Sequence, residues 1–322
     1  IGREDFRRVL ASEIGDIGFP PRALEQYTAA LGETVDLAAV RAAKFKLVID
    51  YGYGATAFVM PNVLAKVGAD VLGVNPYAST RQAITVDRAE SAEQVAALVR
   101  ASGAHLGAVL DPDGEHLTLI DDTGTTLTDD EARLAFVSLV AGHLVGDRIA
   151  LPVNTSSAAQ QLVEAHGVRI QHTKTSTAAL MAAASESGVG FAASGDGGFI
   201  LPGFLPAFDG GAALVKLLEL LALEGTRLST VRESLPRTHL AHETVVTPWE
   251  QKGLVMRTLV ELSKDRRLEL IDGVKVIHDD GWVLALPDPE EPITHIWAES
   301  TDSGKARSLA QEYVRRIRQT LR

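Results

Sequence analysis

Three acidic residues spaced two apart, Asp111, Asp113 and Glu115, follow directly on an apolar run from Leu106 to Leu110. Clustered hard oxygen ligands of this kind suit Mg²⁺ or Ca²⁺. A strand ending here would present them at its C-terminal edge, where open α/β sheets bind ligands. The same residues also spell Asp-Pro-Asp-Gly, a turn in its own right, with Pro112 setting φ and Gly114 accepting positive φ. On spacing alone the segment is either a metal loop or a plain β-turn.

Other residue groups offer weaker chemistry. Gly52-Tyr53-Gly54 sits between a strand pattern and a helix pattern, but a third glycine and a ribose-binding acid are missing. A turn that lets strand and helix approach closely accounts for it better than a dinucleotide site. Asp196 lies in a glycine loop, Ser194-Gly195-Asp196-Gly197-Gly198, and Lys174 stands at a strand end beside Thr173. Residues 286–291, Leu-Pro-Asp-Pro-Glu-Glu, place three carboxylates in one loop, where they repel a dianion, and Pro289 removes a backbone donor.

Composition narrows the classes. With no cysteine there is no disulfide, thiol catalysis or Cys-ligated zinc, and a cytoplasmic location is expected. A net charge of −11 excludes non-specific nucleic-acid binding, so an anionic ligand would need local basic groups. No apolar run reaches the ~18 residues of a membrane span. The chain opens with Ile1, so a fragment or processed product is expected.

The elements that must position these residues alternate. Strands are predicted over 45–50, 71–74, 108–111 and 117–121, with helices over 55–67, 91–101 (capped by Ser91) and 129–144. The alternation restarts with strands over 148–153, 169–172 and 189–193 and helices over 156–165, 177–187 and 211–223. Before them, helices are predicted over 5–14 and from Pro20-Pro21 to Leu31. After Pro248 the pattern changes to a helix over 250–263, strands over 268–271, 282–286 and 295–298, and a last helix over 304–321. Repeated βα units argue for parallel sheets covered by helices; strands followed by a helix argue for an α+β domain.

The segment 105–122 resembles the metal loop of the phosphohexomutases (phosphomannomutase and phosphoglucomutase), D-x-D-x-D-R followed by a strand and D-x-x-G. Asp111 and Asp113 match, Glu115 stands for the third Asp, and His116 replaces Arg. In the same order, KLVIDYGYGAT (46–56), HTKTS (172–176), FDGGAALVKLLELLA (208–222), IDGVKV (271–276) and GWVLALPDPEEPITHIWAE (281–299) are similar to the family's successive motifs. The resemblance implies an α/β fold: two phosphohexomutase-like α/β domains with mixed or parallel sheets and a smaller C-terminal α+β domain. The divisions expected are 1–38, the tail of a first mutase domain; 39–147, domain II with the metal loop; 148–249, domain III with the sugar loop; and 250–322, domain IV with the phosphate loop.

It also implies roles: Mg²⁺ at Asp111, Asp113 and Glu115, and sugar-phosphate contacts at Lys174 and Asp196. Departures from the family pattern are concentrated in its chemistry. The phosphoserine loop T-A-S-H-N-P is absent from these residues, so no catalytic residue is assigned. In the sugar loop, Gly195, Gly197 and Phe199 replace Glu, Ser and His. In the phosphate loop, Leu286, Asp288, Pro289 and Glu290 replace Arg, Ser, Gly and Thr, and His295 replaces a downstream Arg. An Arg or Lys from another segment, such as Lys275, could swing in and neutralise that loop. The expectation is a catalytically degenerate mutase-like module with a binding or regulatory role, binding Mg²⁺ and sugar phosphate weakly and attached to a nucleotidyltransferase of the mannose-1-phosphate guanylyltransferase type. The alternative is an active Mg-dependent mutase interconverting hexose 6- and 1-phosphates, whose first domain lies outside this chain. A stand-alone phosphohydrolase built on the three carboxylates is a third option.

Overall fold

The computed structural model describes residues 9–18 and 21–321. Of the helix expected over 5–14, residues 5–8 fall outside the described residues, and the rest holds only a 3-10 turn at Ala11–Glu13. Pro20 is likewise outside, and the next helices are α1 (Ala23–Glu33) and α2 (Leu37–Ala43).

The first sheet is built from β1 (Lys46–Asp50), α3 (Thr56–Lys66), β2 (Asp70–Val74), α4 (Thr80–Ala83), α5 (Arg88–Ser102), β3 (Leu106–Leu110) and β4 (Leu117–Ile120). Its strand order is β2-β1-β3-β4, with β1 parallel to β2 and β3, and β4 antiparallel to β3. The second follows with α6 (Asp129–Ala141), β5 (Arg148–Pro152), α7 (Ala158–Glu164), β6 (Arg169–Thr173), α8 (Thr177–Ala184), β7 (Val189–Ala193), β8 (Phe199–Leu201), β9 (Leu205–Phe208), α9 (Gly210–Glu224) and α10 (Leu228–Ser234). Its order is β6-β5-β7-β8-β9. Both parallel cores thus reverse direction at one place, between β1 and β3 and between β5 and β7. Ligands bind at such switch points in open α/β sheets.

The third sheet is antiparallel, ordered β10-β14-β13-β12-β11, from β10 (His239–Val246), α11 (Lys252–Leu262), β11 (Leu268–Glu269), β12 (Val274–His278), β13 (Gly281–Pro287), β14 (Ile293–Ser300) and α12 (Ser303–Thr320). The division expected at 249/250 therefore moves to about 239, because β10 pairs with β14 along its whole length. β10 escapes a periodicity reading because it is a half-exposed edge strand, with only Val245 buried. α5 also starts earlier than Ser91: Asp87 accepts from the backbone N–H groups of Ala89 and Glu90 at 2.8 and 3.0 Å and caps it.

Two helices are shared between the first two sheets. Phe136 of α6 lies 4.3 Å from Phe199 and 5.7 Å from Phe191, so α6 covers the second sheet although it follows the first in sequence. α9 is buried almost throughout from Gly210 to Leu221 and packs on α2, α3, β3 and β4 as well as β8. A helix apolar on every side is one buried on every side. The two sheets consequently share one continuous core.

The third sheet packs Val276, Val283 and Ile296 under Val255, Tyr313 and Ile317 of α11 and α12. Its other face turns Trp282, Leu284 and Leu286 toward Val153 of the second sheet.

Candidate functional site

At the first switch point the Gly-Tyr-Gly turn and the acidic loop are pressed together. A Cβ on Gly54 would lie 2.2 Å from the carbonyl oxygen of Pro112, and one on Gly52, whose φ is +56°, 2.5 Å from that of Leu110. The amide of Ala55 donates to Pro112 O at 3.2 Å. Close approach explains both glycines, as the turn reading anticipates.

Within the loop, Asp111 is occupied locally. Its Oδ1 accepts from the amides of Glu115 and His116 at 2.8 and 3.0 Å, and its Oδ2 lies 2.8 Å from His116 Nδ1. Asp113 and Glu115 are exposed. Among the described residues no three His, Asp or Glu side chains converge on a point that could hold a metal ion. The three residues expected as a metal site are therefore neighbours in the loop without forming a ligand set. Asp113 and Glu115 stay exposed, while His116 takes up the half-buried carboxylate of Asp111.

His116 reaches further. Its Nε2 is 3.5 Å from Asp196 in the glycine loop of the second sheet, and Ser194 Oγ donates to the same carboxylate. Bonds from Asp111, then Asp196, push the imidazole up to about 10 against the effect of burial, so it is an imidazolium at neutral pH. The bond from His116 holds Asp196 well below the usual carboxylate range. Burial raises Asp111, but its bonds with His116 and the loop amides outweigh this and keep it low. Backbone pairing seals the contact: Leu117 N donates to Gly197 O at 2.9 Å and Gly210 N to Gly114 O at 2.8 Å. The structure thus brings Asp111 and Asp196 to one cation, a link that sequence spacing cannot disclose across 85 residues of chain.

Lys174 is exposed at the C-terminal end of β6. Its neighbour Thr175 donates from N and Oγ1 to Asp272 of the third domain at 2.9 and 2.8 Å.

The phosphate-loop position is the most informative. Asp288 Oδ1 accepts from the amides of Glu290 and Glu291, both at 2.7 Å, and Oδ2 lies 2.9 Å from His295 Nε2. Two successive backbone N–H groups turned toward one oxygen form a nest for an anion. Here the anion is the loop's own carboxylate, which His295 and then the Glu290 amide hold at about 2.

The cation expected to offset this loop is corrected. Lys275 is buried under the sheet and donates to Val153 O at 2.8 Å. It is Lys252 that reaches the loop, bonding Asp288 O at 2.6 Å and Glu291 O at 2.5 Å while lying 3.5 Å over Trp249. Lys252 belongs to α11, 34 residues before the loop, so no spacing along the chain links the two.

Residues 25–124 match the family model "Phosphoglucomutase/phosphomannomutase, alpha/beta/alpha domain II", and residues 132–239 that of domain III. The first match begins inside the segment expected as the tail of a preceding domain. The chain is 25% identical to a phosphoglucomutase/phosphomannomutase of Thermococcus kodakarensis over 99% of its own length and 70% of that protein. It is 28% identical to a probable phosphoglucosamine mutase of Methanopyrus kandleri, over 85% of the chain and 61% of the relative.

Among solved structures, a phosphoglucomutase/phosphomannomutase family protein from Burkholderia thailandensis shares the fold. Its TM-score is 0.78 at 21% identity, covering 91% of this chain and 63% of that one. An Aspergillus fumigatus N-acetylphosphoglucosamine mutase solved with GlcNAc-6P and magnesium has a TM-score of 0.62 at 14% identity, covering 92% and 65%. The chain thus spans about two thirds of the proteins it matches. No helix among the described residues is long and apolar enough to cross a membrane. The relatives carry mutase names, which back the active-mutase expectation better than the degenerate or fused one.

Proposed function

Since residues 25–124 and 132–239 place the chain in the phosphohexomutase superfamily as its domains II and III, we propose that it is a hexose-phosphate module of carbohydrate metabolism whose mutase chemistry has been dismantled. The observation that carries this reading is Asp288, whose carboxylate fills the loop's own amide nest. A substrate phosphate entering there would have to displace a bonded carboxylate and meet Glu290 and Glu291 beside it. Both are exposed, so solvent softens their repulsion of a phosphate without changing its sign. Transfer of a phosphoryl group relies on positioning and charge neutralisation; here the nest that would position the phosphate is filled, and Lys252, which reaches the loop, bonds the loop's own carbonyl oxygens. Bound Mg²⁺ would supply that neutralisation, but Asp111 is committed to His116, so no step is assigned to it. Hexose phosphate remains the ligand class, in keeping with the GlcNAc-6P held by the Aspergillus relative in fold. A covalently attached sugar-1-phosphate nucleotidyltransferase region belongs to this reading and is tested by the mass and sequence of the full-length protein.

The test is amide-resolved NMR with glucose 6-phosphate and mannose 1-phosphate at millimolar concentration. Amides 286–295 are expected to stay unshifted in the native protein. Saturable shifts confined to those residues would sink the reading. They would promote the second one, an active Mg-dependent mutase, which the relatives' names favour. Turnover of hexose 1-phosphate to 6-phosphate by the full-length protein that contains this chain, with the 1,6-bisphosphate present, would decide for that second reading directly.

A further inference from the structure

A cavity of about 490 Å³ lies where the second sheet meets the third, and none of its lining residues belongs to the 111–116, 194–198 or 286–291 loops. Its volume falls within the ~300–1,000 Å³ of ordinary small-molecule sites. Thr155 and Gln160 line it from the segment around α7, His172 from β6, Lys275 from β12, and Arg267 just before β11.

Two of these groups are buried and under-used. Lys275 is 4% exposed and sits 4.1 Å over the Trp282 ring. Its ammonium has three donors, but only the bond to Val153 O is formed, and no carboxylate lies within ion-pair distance among the described residues. Thr155 is 1% exposed, and its Oγ1 has no hydrogen-bond partner. Buried hydroxyls and ammonium groups are rarely left this way.

The nearby carboxylates are already engaged. Glu269, on the cavity wall, lies 3.3 Å from Arg267. Glu299, behind it, accepts from Trp282 Nε1 at 2.6 Å, Ser157 N at 2.9 Å and Ser157 Oγ at 2.6 Å. What the wall leaves unsatisfied is donors, an ammonium and a hydroxyl, with the exposed Arg267, paired to Glu269, at the rim.

We propose that this junction cavity binds a small metabolite through an oxyanion, a phosphate ester or a carboxylate, seated on Lys275 with Thr155 donating to it. Because its walls come from two domains, such a ligand would tie the third sheet to the second. This is a site apart from the cleft loops, and it stands whether or not those loops act on hexose phosphate.

The experiment uses the full chain and amide-resolved titration with inorganic phosphate, glucose 6-phosphate and citrate, with chloride at matched ionic strength as control. Saturable shifts are expected at 155–160, 172 and 275–282, with the phosphate arms or the citrate arm identifying the oxyanion. Thr155→Val should weaken binding by about tenfold, the worth of one charge-assisted hydrogen bond, without lowering the melting temperature of the unliganded protein, since that hydroxyl has no internal partner to lose. Lys275→Met should abolish binding. If that variant fails to fold, Thr155→Val decides by itself. An absence of shifts in that region with all probes, or unchanged affinity in Thr155→Val, overturns the proposal.

Discussion

Two side chains decide how the cleft behaves. Asp288 satisfies the amides of Glu290 and Glu291 from inside the loop, so Asp288→Ala should expose that nest, and phosphate should then shift amides 290 and 291 where it leaves the native protein unchanged. The same group predicts a pH response. Its folded pKa is depressed to about 2, so the loop's stabilisation is complete above the ordinary carboxylate value near ~4 and is lost as pH falls through about 2. Amide exchange at 290 and 291, followed downward from neutral pH, should stay slow until that window. Exchange already fast at pH 6 would show that the nest is not held by the carboxylate. His116 acts as a built-in cation between Asp111 and Asp196. Removing it in His116→Ala should cost roughly 1–2 kcal/mol, because the half-buried Asp111 loses its partner, while the exposed Asp196 is screened by solvent and adds little. The same variant should bind Mg²⁺ more tightly than the native protein, since Asp111 is released. Calorimetry giving equal or weaker Mg²⁺ binding in the variant would contradict that role.

At the scale of elements, placement follows from which faces are apolar and how near two backbones must come. α6 and α9 each leave their own βα unit to cover the neighbouring sheet, and the Phe136–Phe191–Phe199 stack fastens α6 there. Phe136→Ala should cost about 3–5 kcal/mol, as expected for a fully buried aromatic, and chemical denaturation would read this as a lower midpoint. The turn before α3 is equally intolerant. Gly54→Ala would drive a Cβ into the Pro112 carbonyl at 2.2 Å, forcing the acidic loop away from the β1 edge. We expect ~2 kcal/mol or more of destabilisation and a changed signal at amides 111–116. A variant as stable as the native protein would mean the loop relaxes freely.

Across the whole molecule, carboxylates of the third domain, one buried and one half-buried, bond across to the second. Glu299 is 2% exposed, and its acceptors serve Ser157 and Trp282 together. Asp272 accepts from Thr175. Truncating one member of a buried network leaves the others unsatisfied. Glu299→Ala should therefore loosen the third domain by about 1–3 kcal/mol, seen as faster hydrogen exchange across 239–321 with the first two sheets unaffected. Uniform loosening of the whole chain would show that the junction is not a separable contact.

Much of this was legible in the chain itself. Period-two and period-3.6 patterns marked most of the strands and helices, and the order of motifs from residue 46 to residue 299 announced the superfamily, whose domains II and III match. Local chemistry was readable too: the Gly-Tyr-Gly turn, and the substitutions in 286–291. What sequence could not settle was which groups meet. Asp111 reads as a metal ligand by spacing, and only the fold sets His116 beside it and Asp196 beyond. Lys275 looked able to neutralise the 286–291 loop, yet burial carried it to Val153 and left that loop to Lys252. β10 went unseen because an edge strand needs apolar residues on only one face, and its partner β14 lies 54 residues on. Local propensity is written in neighbours along the chain; pairing, burial and charge compensation are relations between distant residues, and only the packed structure chooses among them.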